Sequence, residues 1–294
     1  MDSGAWPISR VTWVRVRSLL EGAPREYIRT MDLGLQGKVV MVTGGAGRIG
    51  PVICATFARE GAALGVLDIA ADRATATAAR LRESGTQAIG VGVDVSRAAD
   101  VSAALQEVTA ALGPVDVLVN AHGISPNRLL LEADEEEWDR TFAVNTRGTM
   151  LTCRAVGKQM VQRGSGGAIV NVSSGAATSA RLGAAGYCGS KAAINMLTEA
   201  LAIELGPYGI RVNAVSPGLV TDAPLRSADA SLTPYMQMML DMTPLGRTGA
   251  PADIAEVVVF VASQRNAWMT GSIVDVSGGS HTGRPHVPLP RPPA

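Results

Sequence analysis

Seven apolar runs alternate with helix-like stretches along the middle of this chain, and this alternation constrains the fold more than any other feature. The runs lie at 39–43, 63–67, 89–93, 115–119, 168–172, 210–215 and 272–276, and helical stretches lie between them at about 49–60, 71–83, 98–112, 135–161, 187–205 and 251–263. Strands separated by helices pair in parallel through right-handed crossovers. We therefore predict an α/β fold with a single Rossmann-like, doubly wound parallel sheet of about seven strands and helices on both faces.

The composition agrees with a thick core and excludes some partners. Hydrophobic residues make up 47% of the 294 residues and charged residues 18%, which is typical of a sheet covered on both faces. The formal net charge is zero, so no basic surplus indicates nucleic acid as a partner. No run approaches the roughly 18 apolar residues that a membrane span needs, so no membrane partner is expected.

The cysteines indicate a reducing compartment. Cys54, Cys153 and Cys188 are scattered along the chain and have neither metal-ligand nor redox spacing. We therefore expect a cytoplasmic protein without a metal site. Cys188 lies next to Tyr187, and a small residue packed beside a site explains it better than a nucleophile does.

Both ends of the chain fall outside the alternating pattern. Residues 1–34 combine arginines with short apolar pieces, and their acidic residues and the lack of an apolar core argue against a transit or signal peptide. We expect a poorly ordered N-terminal extension over 1–34 and one catalytic domain over 35–280. The proline-rich tail, 281–294, is expected to be extended or disordered.

A glycine-rich segment follows the first apolar run and precedes a helix. Glycines in the segment 44–50, GGAGRIG, let the backbone approach a pyrophosphate, and the amides of the next helix favour its charge. Asp68 ends the second run, where a carboxylate accepts hydrogen bonds from ribose hydroxyls and repels a 2′-phosphate. This pattern predicts a dinucleotide site that favours NAD over NADP. Arg48 argues the other way, because a guanidinium in this loop could bind that phosphate.

A possible proton-transfer pair follows the fifth run. Tyr187 and Lys191 are four residues apart, which places both side chains on one face of a helix. Ser174 precedes Tyr187 by thirteen residues, and Asn145 lies in the long helical stretch before it. Each residue alone has an ordinary structural explanation, but their ordered combination with the glycine-rich segment does not.

This ordered set resembles the short-chain dehydrogenase/reductase family, and the resemblance extends from about Leu35 to Gly279. It implies an NAD(P)-dependent enzyme that transfers a hydride between the cofactor and a CH–OH group. The catalytic residues that it implies are Asn145, Ser174, Tyr187 and Lys191. Tyr187 would act as base in oxidation and as acid in reduction, with its phenolate stabilised by Lys191.

The resemblance gives the two remaining catalytic residues supporting roles. Ser174, in preference to Ser173, would orient the substrate oxygen, and Asn145 would hold a water beside the lysine.

The resemblance also implies a set of cofactor-binding residues. These are Gly44, Arg48, Ile49, Gly50, Asp68, Asp94, Val95, Asn120, Tyr187, Lys191, Pro217, Gly218 and Thr221. Asp94 and Val95 would border the adenine, and Thr221 would hold the nicotinamide carboxamide. His122 departs from the family pattern, and a local hydrogen bond is favoured over a catalytic role for it.

The glycine-rich segment departs from the family's short form as well. Arg48 replaces the middle glycine, and the spacing of Gly44, Gly47 and Gly50 is similar to that of the extended branch, which includes sugar-nucleotide epimerases. The chain ends soon after Gly279, without room for that branch's additional substrate domain, so we expect the short form.

The substrate and the assembly are less constrained. The methionine-rich stretch at about 222–248 is expected to be a substrate lid, although helical packing alone would also explain its methionines. We expect a small to medium, mostly apolar secondary alcohol or ketone, with a polyol or sugar acid left open through Arg181 or Arg147. A homotetramer assembled through the helices at 135–161 and 187–205 is expected from the resemblance.

Two other functions stay open. The chain could be an NADPH-dependent reductase of 3-oxoacyl thioesters. It could also be a non-catalytic nucleotide-binding scaffold, although such proteins usually lose the tyrosine or the lysine.

Overall fold

All seven predicted strands are present in the computed structural model, which describes residues 32–227, 229 and 231–282. They are β1 (Val39–Thr43), β2 (Ala63–Asp68), β3 (Ala88–Gly92), β4 (Val117–Asn120), β5 (Gly167–Val172), β6 (Ile210–Pro217) and β7 (Ile273–Val276). The chain divides into two units between Leu33 and Gly34, and the fold described below belongs to the second. The predictions for residues 1–31 and for 283–294 lie outside the described residues.

The strands form one sheet in the order β3-β2-β1-β4-β5-β6-β7, and every pairing is parallel. Across the sheet, the strand numbers fall from β3 to β1 and then rise from β4 to β7. In doubly wound sheets, the crevice for ligands opens at such a reversal, which here lies between β1 and β4. Thr43 at the end of β1 pairs with Asn120 at the end of β4, and Asn120 pairs with Asn171 near the end of β5. The predicted fold class is confirmed, and the carboxyl ends of these three strands lie side by side.

The described residues contain eight α-helices. They are α1 (Gly50–Arg59), α2 (Ala71–Glu83), α3 (Ala98–Leu112), α4 (Glu135–Phe142), α5 (Gly148–Arg163), α6 (Ala185–Leu205), α7 (Pro234–Asp241) and α8 (Pro251–Ala262). Helix α1 packs on α8 and α2, whereas α5 packs on α3 and α6. These two groups cover the two faces of the sheet, as crossovers of one hand require. Among these helices, none has both the length and the apolar character to cross a bilayer.

The core explains why the central strands are continuous apolar runs. All five residues of β1 are buried. Met41 packs in a cluster with Leu118 and Ile169 from the sheet and with Val108 and Met160 from α3 and α5. Because helices cover both faces, neither side of β1 can be polar, and the alternation seen in half-exposed strands is missing.

The long helical stretch predicted at 135–161 is interrupted in the structure. Helix α4 ends at Phe142, Ala143–Arg147 forms one π-helical turn, and α5 begins at Gly148. Asn145 lies in this turn, and its side chain is hydrogen-bonded to the backbone of Ile124, in the loop after β4. Such π-turns often occur at functional sites.

The predicted lid contains a short helix that the sequence analysis did not place. Helix α7 begins after Thr233, whose hydroxyl accepts a hydrogen bond from Met236 N at 3.2 Å, and Pro234 occupies its first position. Both are favourable at a helix start. Helical packing is therefore part of the explanation for the methionines here.

Candidate active site

Helix α6 holds Tyr187 and Lys191 at the carboxyl end of β5. The Lys191 Nζ atom is 5.8 Å from the centroid of the Tyr187 ring. It donates a hydrogen bond of 2.8 Å to the carbonyl oxygen of Val172, the last residue of β5. Lys191 is only 4% exposed, and this burial lowers its pKa from 10.5 to about 8. The amine is therefore fixed next to the phenol and can change its protonation state at mildly alkaline pH.

Asn145 is fully buried and connects the π-turn to the loop after β4. Its Oδ1 accepts from Ile124 N at 2.8 Å, and its Nδ2 donates to Ile124 O at 2.9 Å and to Ser190 Oγ at 2.9 Å. A Cβ atom added to Gly123 would lie 3.2 Å from Asn145 Oδ1 and 3.6 Å from Lys191 Nζ. Asn145 and Lys191 therefore both approach Gly123, and their catalytic roles stay predictions.

The structure separates the two adjacent serines at the end of β5. Ser173 is buried and donates from Oγ to Asn195 Oδ1 at 2.5 Å. Ser174 is partly exposed, and its Oγ accepts from Ala176 N at 3.1 Å. Within the described part of the chain, the Ser174 hydroxyl has no acceptor for its own hydrogen. The geometry favours Ser174 over Ser173 as a group able to donate to a ligand, and its catalytic role stays a prediction.

The glycine-rich segment forms a turn that only glycine fits at two positions. Gly44 has a φ of 66°, and a Cβ there would lie 2.7 Å from the backbone of His122. A Cβ on Gly50 would lie 2.1 Å from the carbonyl oxygen of Gly44. The backbone of this turn thus packs closely on itself and on the backbone of His122 just before α1. Ile49 is the residue that precedes the helix. Such a cradle fits the pyrophosphate of a dinucleotide.

Asp68 at the end of β2 is bonded to this turn. Its Oδ2 accepts from Ala46 N at 3.1 Å and its Oδ1 from Ala70 N at 3.2 Å. Arg73, in the first turn of α2, donates to the carbonyl oxygen of Ala46. Arg73 was not predicted as a residue of the cofactor site, although a cation five residues after Asp68 is a sequence signal for it.

Arg48 contacts the beginning of the predicted lid. Its Nε is 3.5 Å from Asp222 Oδ1, and its Nη1 donates to the carbonyl oxygen of Val220 at 3.3 Å. Both charged side chains are largely exposed, so this ion pair contributes little to stability. The structure thus gives Arg48 a contact with the lid segment, which its position in the sequence did not indicate.

Asn120, one of the predicted cofactor residues, uses its side chain inside the protein. Its Oδ1 accepts from Thr43 at 3.2 Å and from Thr152 at 2.8 Å, and its Nδ2 donates to Asn171 at 2.9 Å and to Cys153 Sγ at 3.3 Å. With the amide fully engaged, any contact with a cofactor is left to the backbone of Asn120.

The side chain of Thr221, like that of Asn120, forms its hydrogen bonds within the protein. Its hydroxyl donates to the carbonyl oxygen of Ala223 at 2.7 Å and lies 2.5 Å from the hydroxyl of Thr248. The predicted bond from Thr221 to a carboxamide would compete with these contacts, because a hydroxyl has one hydrogen.

The other predicted cofactor residues also lie at the carboxyl edge of the sheet. The carboxylate of Asp94 accepts from the hydroxyl of Ser96 at 2.7 Å and from its backbone at 3.0 Å, and these bonds lower the pKa of Asp94. Val95 is buried. Pro217 ends β6, and a Cβ on Gly218 would lie 2.8 Å from the Cα of the residue after β7, so the chain passes closely there.

His122 is held between two threonines. Its Nδ1 lies 2.6 Å from Thr43 Oγ1 and its Nε2 3.4 Å from Thr149 Oγ1. Enclosure by the protein, and to a smaller extent the charge of Lys191, lowers the pKa of His122 to about 3. The imidazole is therefore neutral and serves local hydrogen bonding, in line with the interpretation that the sequence favoured.

A cavity of about 580 Å³ lies at the opposite, amino-terminal edge of the sheet. It is lined by the start of β4, β5 and β6, with Lys38, Arg211 and Trp268 at its walls. No predicted site residue lines it. The size of a cavity therefore does not identify the site in this protein, whereas the convergence of polar groups at the carboxyl edge does.

Comparisons with known proteins show which family this chain resembles. A family model described as enoyl-(acyl carrier protein) reductase matches residues 44–281. The chain is 39% identical over 249 residues to D-threitol dehydrogenase of Mycolicibacterium smegmatis, and the aligned region covers 84% of this chain and 94% of that protein. It is 33% identical over 255 residues to a (3R)-3-hydroxyacyl-CoA dehydrogenase of Canis lupus familiaris, and the aligned region covers 84% of this chain and 97% of that protein.

The fold also has a close match among solved structures. The crystal structure of a short-chain type dehydrogenase/reductase from Mycobacterium marinum superposes with a TM-score of 0.78 at 31% identity, covering 85% of this chain and 99% of that one.

Proposed function

This chain belongs to the short-chain dehydrogenase/reductase family, and on that premise we propose that it transfers a hydride between NAD(H) and a small to medium secondary alcohol or ketone. It is an oxidoreductase of CH–OH groups, and the family uses NAD(P). The observation that carries the proposal is the buried amine of Lys191, which lies 5.8 Å from the centroid of the Tyr187 ring. Beside it lies the Asn145 clamp, which is the pair of hydrogen bonds from the Asn145 side chain to the backbone of Ile124.

Tyr187 performs the proton transfer in this proposal. When bound, the cofactor would supply the hydride acceptor, so that the carbon-bound hydrogen of the alcohol would leave with its electron pair. The hydroxyl proton passes to the phenolate oxygen of Tyr187, and the substrate becomes a ketone. In reduction, Tyr187 returns the proton to the carbonyl oxygen while the hydride moves the other way. Ser174 donates to the same oxygen and orients it.

Lys191 and Asn145 support that transfer. The Lys191 ammonium stabilises the phenolate through its charge. Because the pKa of Lys191 is about 8, the amine can also exchange protons with solvent under mildly alkaline conditions. Asn145 fixes the segment around Ile124 next to the amine, and a water held there would complete the path outward.

NAD is proposed as the preferred cofactor because of Asp68. Its carboxylate lies at the end of β2 and is bonded to the glycine-rich turn, where it would repel a 2′-phosphate. Arg73, which donates to the carbonyl oxygen of Ala46 in this turn, and Arg48, which belongs to the turn, are two cations that could offset this repulsion. Comparing kcat/KM with NAD and NADP tests the choice, and a clear preference for NADP would contradict it.

A second candidate is the reduction of 3-oxoacyl thioesters with NADPH. It is favoured by the name of the family model and by the relative that is called a (3R)-3-hydroxyacyl-CoA dehydrogenase. Turnover of acetoacetyl-CoA that exceeds that of simple ketones, together with a preference for NADPH, would establish this candidate in place of the first.

Assembly and location stay predictions. On α6, the side chains of Met196 and Ile203 are 64% and 79% exposed, which supports the proposal that this helix packs against a second copy in a homotetramer. Light scattering of the purified protein measures the assembly directly. Cytoplasmic location is proposed from the cysteine pattern alone.

The decisive experiment is a screen of secondary alcohols and ketones with both cofactors, followed by nicotinamide absorbance. We expect turnover of at least one neutral secondary alcohol with NAD. A protein that binds NADH tightly but is inert across the panel would instead be a non-catalytic nucleotide-binding scaffold.

A further inference from the structure

A guanidinium lies between the Tyr187 ring and the lid. The Cζ atom of Arg181 is 5.0 Å from the centroid of the Tyr187 ring, which is a cation–π distance. Its Nη1 donates a hydrogen bond of 3.0 Å to the hydroxyl of Tyr235, a residue of α7 in the predicted lid. Arg181 therefore connects the proposed proton-transfer group to the segment that would cover a substrate.

The protein does not neutralise this charge. In the described part of the chain, no carboxylate forms an ion pair with Arg181, and its Nε is buried without a hydrogen-bond acceptor. Arg128, on the neighbouring loop, differs because its Nη2 is 3.5 Å from a carboxylate oxygen of Glu137. A buried donor without a partner is uncommon in native proteins, and partly buried charges are normally paired. Nη2 is not among the buried unpartnered atoms and forms no hydrogen bond within the described residues, so the guanidinium retains its charge and the Nη2 donors for an anionic ligand.

An open cavity of about 230 Å³ adjoins Arg181. Its walls include Ser125, Asn127, Arg181, Leu182, Ala184 and Tyr235. Among the described residues of that lining, Arg181 is the one that carries a charge. Ser125 directly follows Ile124, whose backbone is hydrogen-bonded to Asn145. The volume is below the roughly 300–1,000 Å³ of sites for drug-sized ligands, which favours a small molecule.

We propose that Arg181 binds a carboxylate of the substrate, so that the preferred substrates of this chain are short hydroxy acids and the corresponding oxo acids. This inference rests on the proposed function and names its substrate class. Because the guanidinium lies against the Tyr187 ring, the carboxylate must be within a few bonds of the carbon that reacts. Guanidinium and carboxylate match in charge and in planar geometry, which makes this pairing stronger than a neutral hydrogen bond.

The reaction itself is unchanged by this contact. For 3-hydroxybutyrate, the hydride leaves C3 for NAD, the hydroxyl proton goes to Tyr187, and acetoacetate forms with its carboxylate intact. The carboxylate remains bound to Arg181 throughout. The contact should therefore act on specificity and affinity rather than on the chemical step.

Matched acid and ester pairs test the proposal. We would measure kcat/KM for 2-hydroxybutyrate, 3-hydroxybutyrate and 4-hydroxypentanoate and for their methyl esters, with the wild type, Arg181→Met and Arg181→Lys. For at least one pair, the wild type should prefer the acid, and Arg181→Met should lower kcat/KM for that acid by about 100-fold more than for its ester. Arg181→Lys should restore part of the loss.

Arg128→Met is the matched control, since it removes the same charge from a neighbouring position where Glu137 already pairs with it. It should leave the ratio of acid to ester unchanged. The proposal is overturned if the wild type prefers the ester in every pair, or if Arg181→Met lowers acid and ester equally. The second result would mean that Arg181 acts only on Tyr187.

A binding measurement separates this inference from the proposed function. Acetoacetate and methyl acetoacetate would be titrated into the protein with NADH present, with thermal stability as the readout. Binding of the acid that Arg181→Met abolishes supports the carboxylate site even if no turnover is found, in which case only the proposed function fails. Turnover of neutral alcohols without acid-selective binding leaves the function intact and overturns the carboxylate site.

Discussion

Lys191 is bonded through its Nζ to the carbonyl oxygen of Val172 at 2.8 Å, so the end of one strand fixes the amine of the neighbouring helix. The amine is buried in a place where protein replaces most of its hydration. The hydrogen bond to the strand end fixes the position of the proposed catalytic lysine. Its burial lowers the pKa of the amine, and this shift has a measurable consequence.

Stability should depend on pH through Lys191. The pKa of Lys191 is about 8 in the folded protein and 10.5 ordinarily, so the unfolded chain binds this proton more tightly. The cost of burying the charge is constant below the folded pKa and is relieved as the pH rises towards the unfolded pKa. The free energy of unfolding of the wild type, minus that of Lys191→Met, should rise by about 2 kcal/mol between pH 7 and pH 10.

Urea unfolding at the two pH values measures this difference, and groups common to both proteins cancel. A difference that stays flat with pH would show that the amine is not charged and buried as described.

Tyr187→Phe should abolish turnover but preserve cofactor binding. The substitution removes the oxygen that accepts the proton and leaves the ring in place, so we expect a loss of about 10²–10⁴-fold in kcat. The affinity for NADH, from fluorescence titration, should change little. Tyr208→Phe, at an exposed tyrosine in the turn Gly206–Tyr208, is the control and should retain full activity. Near-normal turnover by Tyr187→Phe would refute the assignment.

Asn145→Ala should destabilise the protein. The change leaves the backbone N–H and carbonyl of Ile124 without this partner and removes the bond to Ser190, whose hydroxyl keeps its bond to Tyr187 O. Orphaned groups of this kind cost about 1–3 kcal/mol each, so we expect a loss of about 3 kcal/mol in the free energy of unfolding. Gln106→Ala, on the exposed face of α3, should cost less than about 0.5 kcal/mol. Equal effects of the two variants in urea would argue against the clamp.

Asp68→Asn should shift the cofactor preference towards NADP. The variant keeps the shape of the side chain and removes the charge that repels a 2′-phosphate, so kcat/KM with NADP relative to NAD should rise by about 10-fold or more. Asp72→Asn, at an exposed position in the first turn of α2, should leave the ratio unchanged. If the ratio is the same in both variants, Asp68 does not determine the preference.

Gly50→Ala should damage the glycine-rich turn. The new Cβ would lie 2.1 Å from the carbonyl oxygen of Gly44, and because that oxygen belongs to the backbone, the turn must move. We expect about 1–3 kcal/mol of destabilisation and weaker NADH binding. Gly206→Ala, where a Cβ meets nothing within 4 Å, should have neither effect. Unchanged NADH affinity in Gly50→Ala would exclude this turn as the pyrophosphate cradle.

One element was predicted incorrectly from the sequence, and another was left out. The stretch 135–161 reads as one helix because its apolar spacing continues through Asn145, yet the structure inserts a π-turn at Ala143–Arg147. From within that turn, Asn145 forms two hydrogen bonds with Ile124, a residue 21 positions earlier, and local spacing does not record such a contact. Helix α7 was missed because the methionines around it are explained equally well by a flexible lid.

The sequence by itself determined the sheet, the order of its helices and the glycine-rich turn. Each of these depends on local spacing: apolar runs of five or six residues, helical periodicity, and glycines where a Cβ would touch backbone. The tertiary structure alone decided which side chains meet. It turned Asn120 and Thr221 inward, joined Arg48 to Asp222, and placed Arg181 between Tyr187 and Tyr235. Such contacts depend on how distant segments pack, and no periodicity along the chain records the distance between two side chains that only folding brings together.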